Sequence, residues 1–343
     1  MCYAKGDSVT VKISDPRSEL LKADVDDRRD GRYVVSFVPH SLGSHDISVS
    51  VNDKIIKGSP FRVEVSERYK LLDIFGSAGA NDPLFQQPRA IATSSCGELA
   101  VADSGNHRIQ LFDCQSKQPK YLRHFGSGES QKGGMKWPSG VTFDSENNLL
   151  VSDTENNRIQ IFSKDREITI SFGQNEVENP QGICVTEKGH IAVCSGGHTP
   201  GVKLFSENGK FLRHFNNTEN GRVPAYITYE TGRYFVSYSD GNVVKVFDDN
   251  GSFLHNIGLK DSDPHAEHRP RGLTIDRDNN LLVSDCKGLG IQIFSLDGRF
   301  ISSFGEEPEK FGLCRHVDVA VADDGRLFVL QDYGFSNRIR IFQ

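Results

Sequence analysis

A nine-residue phrase, SGNHRIQLF at 104–112, returns as TENNRIQIF at 154–162 and as GFSNRIRIF at 334–342. Repetition at a fixed period constrains a chain more than any single motif. Each copy is one structural unit that buries its apolar face only by stacking on its neighbours. Aligned on the Phe that closes the phrase, further copies end at Phe205, Phe247 and Phe294, in steps of 42–50 residues. A second marker precedes each copy: Pro88, Pro138, Pro180, Pro224 and Pro270, with Arg315 in the sixth place. The chain therefore reads as six repeats.

Each repeat reads as four short strands. In the second, GVTFD (140–144), NLLVSD (148–153) and RIQIF (158–162) follow the Pro marker. A segment such as YLRHFG (121–126) follows each third strand as a fourth. RIQIF alternates apolar and polar residues, the pattern of a half-buried strand. LLV is continuous, the pattern of a strand covered on both faces. SENN, TEKG, DRDN and ADDG have hairpin-turn chemistry. No segment carries a helical period. Four strands per unit at this spacing predict a six-bladed β-propeller. The last repeat ends at Gln343, directly after its third strand, while YKLLDIFG (69–76) is a fourth strand without a repeat of its own. Pairing of 69–76 with the last blade is expected to close the ring and remove its exposed edges.

The first 66 residues differ. GDSVTVKI, GRYVVSFVP, HDISVSV and SPFRVEV read as four strands of an immunoglobulin-like β-sandwich, with DDRRDGR and KGSPF as turns. Such a sandwich has about seven strands, so its first strands are expected to be missing. The predicted organisation is all-β: a partial sandwich over 1–66 and a propeller over 67–343.

Composition narrows the function. At 36% hydrophobic and 25% charged, with a net charge of −6, the chain is ordinary for a globular protein and not basic enough to point to DNA. Seven cysteines without a C-x-x-C pair read as free thiols rather than a zinc site. There is no signal-peptide pattern and no 18-residue apolar run, so a cytoplasmic protein without membrane contact is expected. His107, His190, His198 and His316 occupy non-equivalent turn positions, and no nucleophile motif or phosphate loop occurs. Neither an enzymatic activity nor a metal or other cofactor is expected.

VADSGNHRIQLF (101–112) and VSDTENNRIQIF (151–162), preceded by PRAIA and PSGVT, resemble NHL repeats. DDRRDGRYVVSFVPHSLGSHDISVSV followed by KGSPFRVEV is similar to the second half of a filamin-type domain. Filamin followed by NHL resembles the C-terminal region of the tripartite-motif (TRIM-NHL) family. Repeats three to five depart from the pattern, with Gly201, Val243 and Gly290 where Arg108 stands in the first. The resemblance implies a non-catalytic recognition module. The RING, B-box and coiled coil through which the family ubiquitinates and oligomerises have no counterpart in this sequence. It implies one of two ligands on the propeller face: a protein substrate to be ubiquitinated, or an RNA hairpin whose message is repressed. Carboxylates outnumber cations on that face, which tilts the reading to protein.

Two residue sets carry these readings. Asp103, Asp153 and Asp285 end second strands, and Arg108, Arg158 and Arg338 begin third strands. Their equivalent places predict a structural role: turn capping, with an ion pair across the hairpin in repeats one and two. The ligand face is expected to comprise Arg89, Lys132, Lys136, Trp137, Arg269, Arg271, Arg315, His316, Tyr333 and Phe335. Its cations suit anionic groups and its aromatic rings suit stacking.

Overall fold

The computed structural model describes residues 8–343 apart from 38, 40, 42, 66–68, 128–132, 216–222, 239–240, 260–267, 288–289, 306–314 and 333–336. The chain divides into two compact units, Met1–Lys70 and Leu71–Gln343.

The N-terminal unit holds two antiparallel sheets. In the larger, Val9–Ser14 lies between Leu20–Leu21 and Gly43–Val51, and Gly43–Val51 also pairs with Lys54–Ile55 and Phe61–Val65. In the smaller, Ala23–Asp27 pairs with Tyr33–Phe37. Ile13 and His45 are fully buried at the centre of the unit. The four expected strands are present, but Leu20–Leu21, Ala23–Asp27 and Lys54–Ile55 join them. Ala23–Asp27 carries three carboxylates and exposes four of its five side chains, so it shows no apolar alternation to read. Backbone pairing with its neighbour, rather than burial, defines it.

The larger unit contains six four-stranded antiparallel sheets. Sheet one runs Ala90–Thr93, Glu98–Asp103, Arg108–Asp113, Lys120–Phe125. Sheets two to five repeat this order, from first strands Pro138–Phe143, Ile183–Val185, Pro224–Glu230 and Pro270–Ile275. Sheet six combines Arg315–Val321, Leu327–Asp332 and Asn337–Phe342 with Leu71–Phe75, and Ile339 lies opposite Phe75 in that pairing. The first strands touch in succession, and the last touches the first. The architecture is a β-propeller.

Its core lies between sheets. Ala100, Ile109 and Leu111 of sheet one pack on Val141, Leu149 and Phe162 of sheet two. Leu99, Phe112 and Ile91 pack on Phe328, Leu330 and Ile339 of sheet six. Each second strand is thereby covered on both faces, which is why LLV and its counterparts are continuous. Small residues two places after the Pro marker let the first strands crowd the channel. A Cβ on Gly140 would fall 2.0 Å from the Gln181 carbonyl oxygen, and one on Gly182 would fall 2.6 Å from Tyr226 Cα. Sheet four alone puts a large residue, Tyr226, at this place among the five Pro-marked sheets.

Candidate functional site

The second and third strands meet the chain that enters each sheet. Asp103 and Arg108 face each other across the hairpin of sheet one, and Asp153 and Arg158 across that of sheet two. Each hairpin turns through one 3-10 turn, Ser104–Asn106 or Thr154–Asn156. Asp103 is fully buried and accepts from four donors: Gln86 N (2.6 Å), Asn106 Nδ2 (2.8 Å), Arg108 Nε (2.7 Å) and Gln110 Nε2 (2.9 Å). Arg108 also reaches Asp82 Oδ1 (2.6 Å) and the Leu84 carbonyl (3.0 Å), which Gln110 approaches at 2.7 Å. The network ties the segment entering from Leu71–Phe75 to the hairpin of sheet one.

Sheet two repeats the arrangement. Asp153 accepts from Lys136 N (2.7 Å), Arg158 Nε (2.7 Å) and Gln160 Nε2 (3.0 Å), and Arg158 Nη2 donates to the Gly134 carbonyl (2.6 Å). The other sheets use different chemistry. Asp285 lies 2.7 Å from His268 Nδ1 and accepts from Arg269 N (2.8 Å). Ser195 Oγ accepts from Glu178 N (3.0 Å) and donates to the Glu178 carbonyl (3.2 Å). In sheet four Lys245 Nζ sits 5.3 Å from the centre of the Tyr238 ring. Arg338 Nε donates to Gln331 Oε1 (2.9 Å).

At the same end of the sheets a cavity of ≈ 430 Å³ opens at the channel mouth, with Arg89, Trp137, Glu155, Asn179, Tyr226 and Arg271 among its lining. Trp137 has a left-handed backbone (φ 55°), as do Gln87 and Asn179, which also precede a Pro marker. A bulky residue is costly in that conformation. Here the backbone N–H of Trp137 donates to His107 Nδ1 (3.0 Å), and the Arg89 guanidinium carbon lies 6.0 Å from the centre of the indole. Tyr226 Oη donates across the ring to the Arg89 carbonyl (2.7 Å). Tyr226 lines both the mouth and a ≈ 230 Å³ inner channel, and so stands between them. Burial pushes its hydroxyl pKa up. Burial also disfavours the Arg271 cation, but Tyr226 and Cys286, both hydrogen-bonded to it, hold its pKa above the ordinary value.

The sequence matches known families in the same two parts. The filamin/ABP280 repeat matches residues 1–62, and the NHL repeat matches 85–112 and 135–162. The chain thus carries a filamin/ABP280 repeat followed by NHL repeats. E3 ubiquitin-protein ligase TRIM71 of Xenopus tropicalis is 36% identical over 113 residues, 31% of this chain and 14% of that protein. B-box type zinc finger protein ncl-1 of Caenorhabditis elegans is 36% identical over 142 residues, 41% of this chain and 16% of that one. The chain thus spans about a seventh of the length of these relatives. Among solved structures, a streptogramin B lyase superimposes with a TM-score of 0.59 at 14% identity, covering 79% of this chain and 98% of that one. That likeness is one of fold alone.

The fold brings together some of the residues singled out in the sequence and separates others. Arg89, Trp137 and Arg271 line one cavity. Lys136 stands beside it, its Nζ 3.5 Å from Glu155. Arg269 is exposed and does not line the cavity. Lys132, Tyr333 and Phe335 lie outside the described residues, and Arg315 and His316 are described only as strand backbone. Sequence reasoning missed Tyr226, Gln110 and Gln160. The signal for Tyr226 was a large residue where the other Pro-marked sheets have Gly or Ala. The signal for the two Gln was the invariant middle of RIQ in repeats one and two.

Among the described residues, no three His, Cys, Asp or Glu are grouped to hold a metal ion, and no helix is long and apolar enough to cross a membrane.

Proposed function

We propose that the channel mouth captures an acidic segment of a protein substrate, which a ligase portion of the full-length protein then ubiquitinates. One observation carries this reading: two arginines, Arg89 and Arg271, line one cavity of ≈ 430 Å³. Guanidinium forks match carboxylates, and a partly enclosed site strengthens the pairing. The neighbouring cation Lys136 is drawn to Glu155, which itself lines the mouth. A long phosphate backbone would meet that carboxylate unfavourably.

An RNA hairpin is the second reading, favoured by Trp137 beside Arg89. An exposed base stacked on the indole would contribute ~1–3 kcal/mol, and two phosphate contacts would give a salt slope on the order of −1.4 for single-stranded RNA.

Fluorescence anisotropy separates the two. Acidic and neutral peptides and a set of RNA hairpins are titrated against wild type, Trp137→Ala and an Arg89→Glu/Arg271→Glu double variant. The expected result is binding of acidic peptides that the double variant abolishes. Tighter binding of one hairpin, lost in Trp137→Ala, replaces protein with RNA.

A further inference from the structure

We propose a second docking site at the opposite end of the propeller sheets, occupied by a partner-protein segment that carries lysine or arginine among aliphatic residues. The site is a ≈ 680 Å³ cavity where sheets two, three and four meet. Leu150, Ile161, Ile170, Val185, Ile191 and the Tyr229 ring form the apolar part of its lining, beside Thr169 and Thr186. Its rim comes from the turns between first and second strands of the three sheets, and from the turn before the fourth strand of sheet three. These turns supply Asp144, Glu146, Glu187, Glu207 and Glu230. No lysine, arginine or histidine lines it, and it shares no residue with the channel mouth.

The nearby cations are turned elsewhere. Lys188 Nζ lies 2.6 Å from Asp249, Arg213 donates to the Asp249 carbonyl, and Arg166 pairs with Glu98. Asp144 is occupied in its own turn, accepting from Glu146 N and Asn148 N. The carboxylates of Glu187, Glu207 and Glu230 have no hydrogen-bonding or ion-pair partner among the described residues. Burial, and then the Glu187 charge beside it, hold the Glu230 carboxyl above its ordinary pKa. The chain thus leaves negative charge uncompensated around an apolar hollow.

That combination selects its occupant. A lysine or arginine lays its hydrocarbon stem on an apolar wall while its charged head reaches the rim. A bare metal ion fits poorly, because among the described residues the rim carboxylates do not converge as ligands. A nucleic acid meets like charge. The charge complementarity and the apolar walls together point to an amphipathic cationic peptide.

The test uses the whole chain and three labelled peptides of equal length: alternating lysine–leucine, alternating lysine–serine and alternating glutamate–leucine. Lysine–leucine is expected to bind and the other two to bind far more weakly. A Glu187→Gln/Glu230→Gln variant should weaken lysine–leucine binding about tenfold, as loss of two exposed ion pairs implies. Its melting temperature should equal or slightly exceed wild type, since neither side chain holds a partner and their mutual repulsion is removed. Arg89→Glu/Arg271→Glu should leave this binding in place, so the outcome is independent of what the mouth captures. The proposal is overturned if lysine–leucine fails to bind, if lysine–serine binds equally well, if the glutamine variant binds like wild type, or if the mouth variant abolishes binding.

Discussion

Sheets one and three solve the same problem with different chemistry. In sheet one a buried carboxylate, Asp103, gathers the incoming Gln86 N–H together with Arg108 and Gln110. In sheet three a hydroxyl, Ser195, exchanges two hydrogen bonds with Glu178, and Gly201 stands where Arg108 does. Both hold the entering segment to the hairpin. The carboxylate brings more donors to one point, but it makes each member depend on the others. A charge buried with its partner is tolerated, and one left without it is not. The hydroxyl makes fewer bonds and leaves no unpaired charge when lost. The loss of the Arg in repeats three and five therefore does not mark damaged repeats: a hydroxyl holds the entering segment in sheet three, and in sheet five Asp285 does so with His268 in place of an arginine.

This contrast has measurable consequences. Asp103→Ala should be the most damaging change, because it leaves the Arg108 guanidinium, whose side chain is only 7% exposed, with the part-exposed Asp82 alone, and strips Gln86 N and Gln110 of their shared acceptor. A loss of about 3–5 kcal/mol is expected in chemical denaturation. Installing the sheet-three pair, Asp103→Ser with Arg108→Gly, should cost less than Asp103→Ala alone. A double variant that unfolds at the same denaturant concentration as Asp103→Ala, or below it, breaks the comparison.

Arg158→Ala comes next. Its side chain is 25% exposed, so solvent takes part in both charges and a loss of about 1–3 kcal/mol is expected. Arg108→Ala, made in the drier copy, should exceed it in the same assay.

Asp318 sharpens the comparison from the other side. It is a buried carboxylate in the channel wall with a backbone donor, Ile91 N at 2.9 Å, but among the described residues no cation lies within ion-pairing distance. Burial pushes its pKa up to about 8. The unfolded chain releases this proton near the ordinary carboxylate pKa. Between there and about 8 the folded state holds the extra proton, so stability falls as pH rises, by at most about 1.4 kcal/mol per pH unit. Asp318→Asn should flatten the decline in melting temperature between pH 5 and pH 8 relative to wild type. Parallel curves for the two proteins would show that Asp318 is already charged in the fold.

The smallest effect belongs to sheet three. Ser195→Ala should cost about 1 kcal/mol, one hydrogen-bonded hydroxyl. If it costs as much as Asp103→Ala, the ionic version offers no additional hold.

The sequence by itself determined the repeat, the strands within it and the ion pairs of sheets one and two. Those features are local: strand alternation has a period of two, and residues five apart across a tight hairpin face each other whatever the rest of the chain does. It left Ala23–Asp27 unread because exposed strands carry no pattern. It also left His268 unread as the group beside Asp285, since that histidine arrives from the preceding connection and no spacing rule links the two. Only the tertiary structure decided the rest. Tyr226 and Arg89 are 137 residues apart, and they meet because first strands from opposite sides of the ring converge on one narrow channel. The acidic cavity likewise draws on three sheets whose turns become neighbours only when the ring forms. Hydrogen bonding along a strand is written in consecutive residues, whereas contact across a ring depends on how many units close it and how tightly they pack.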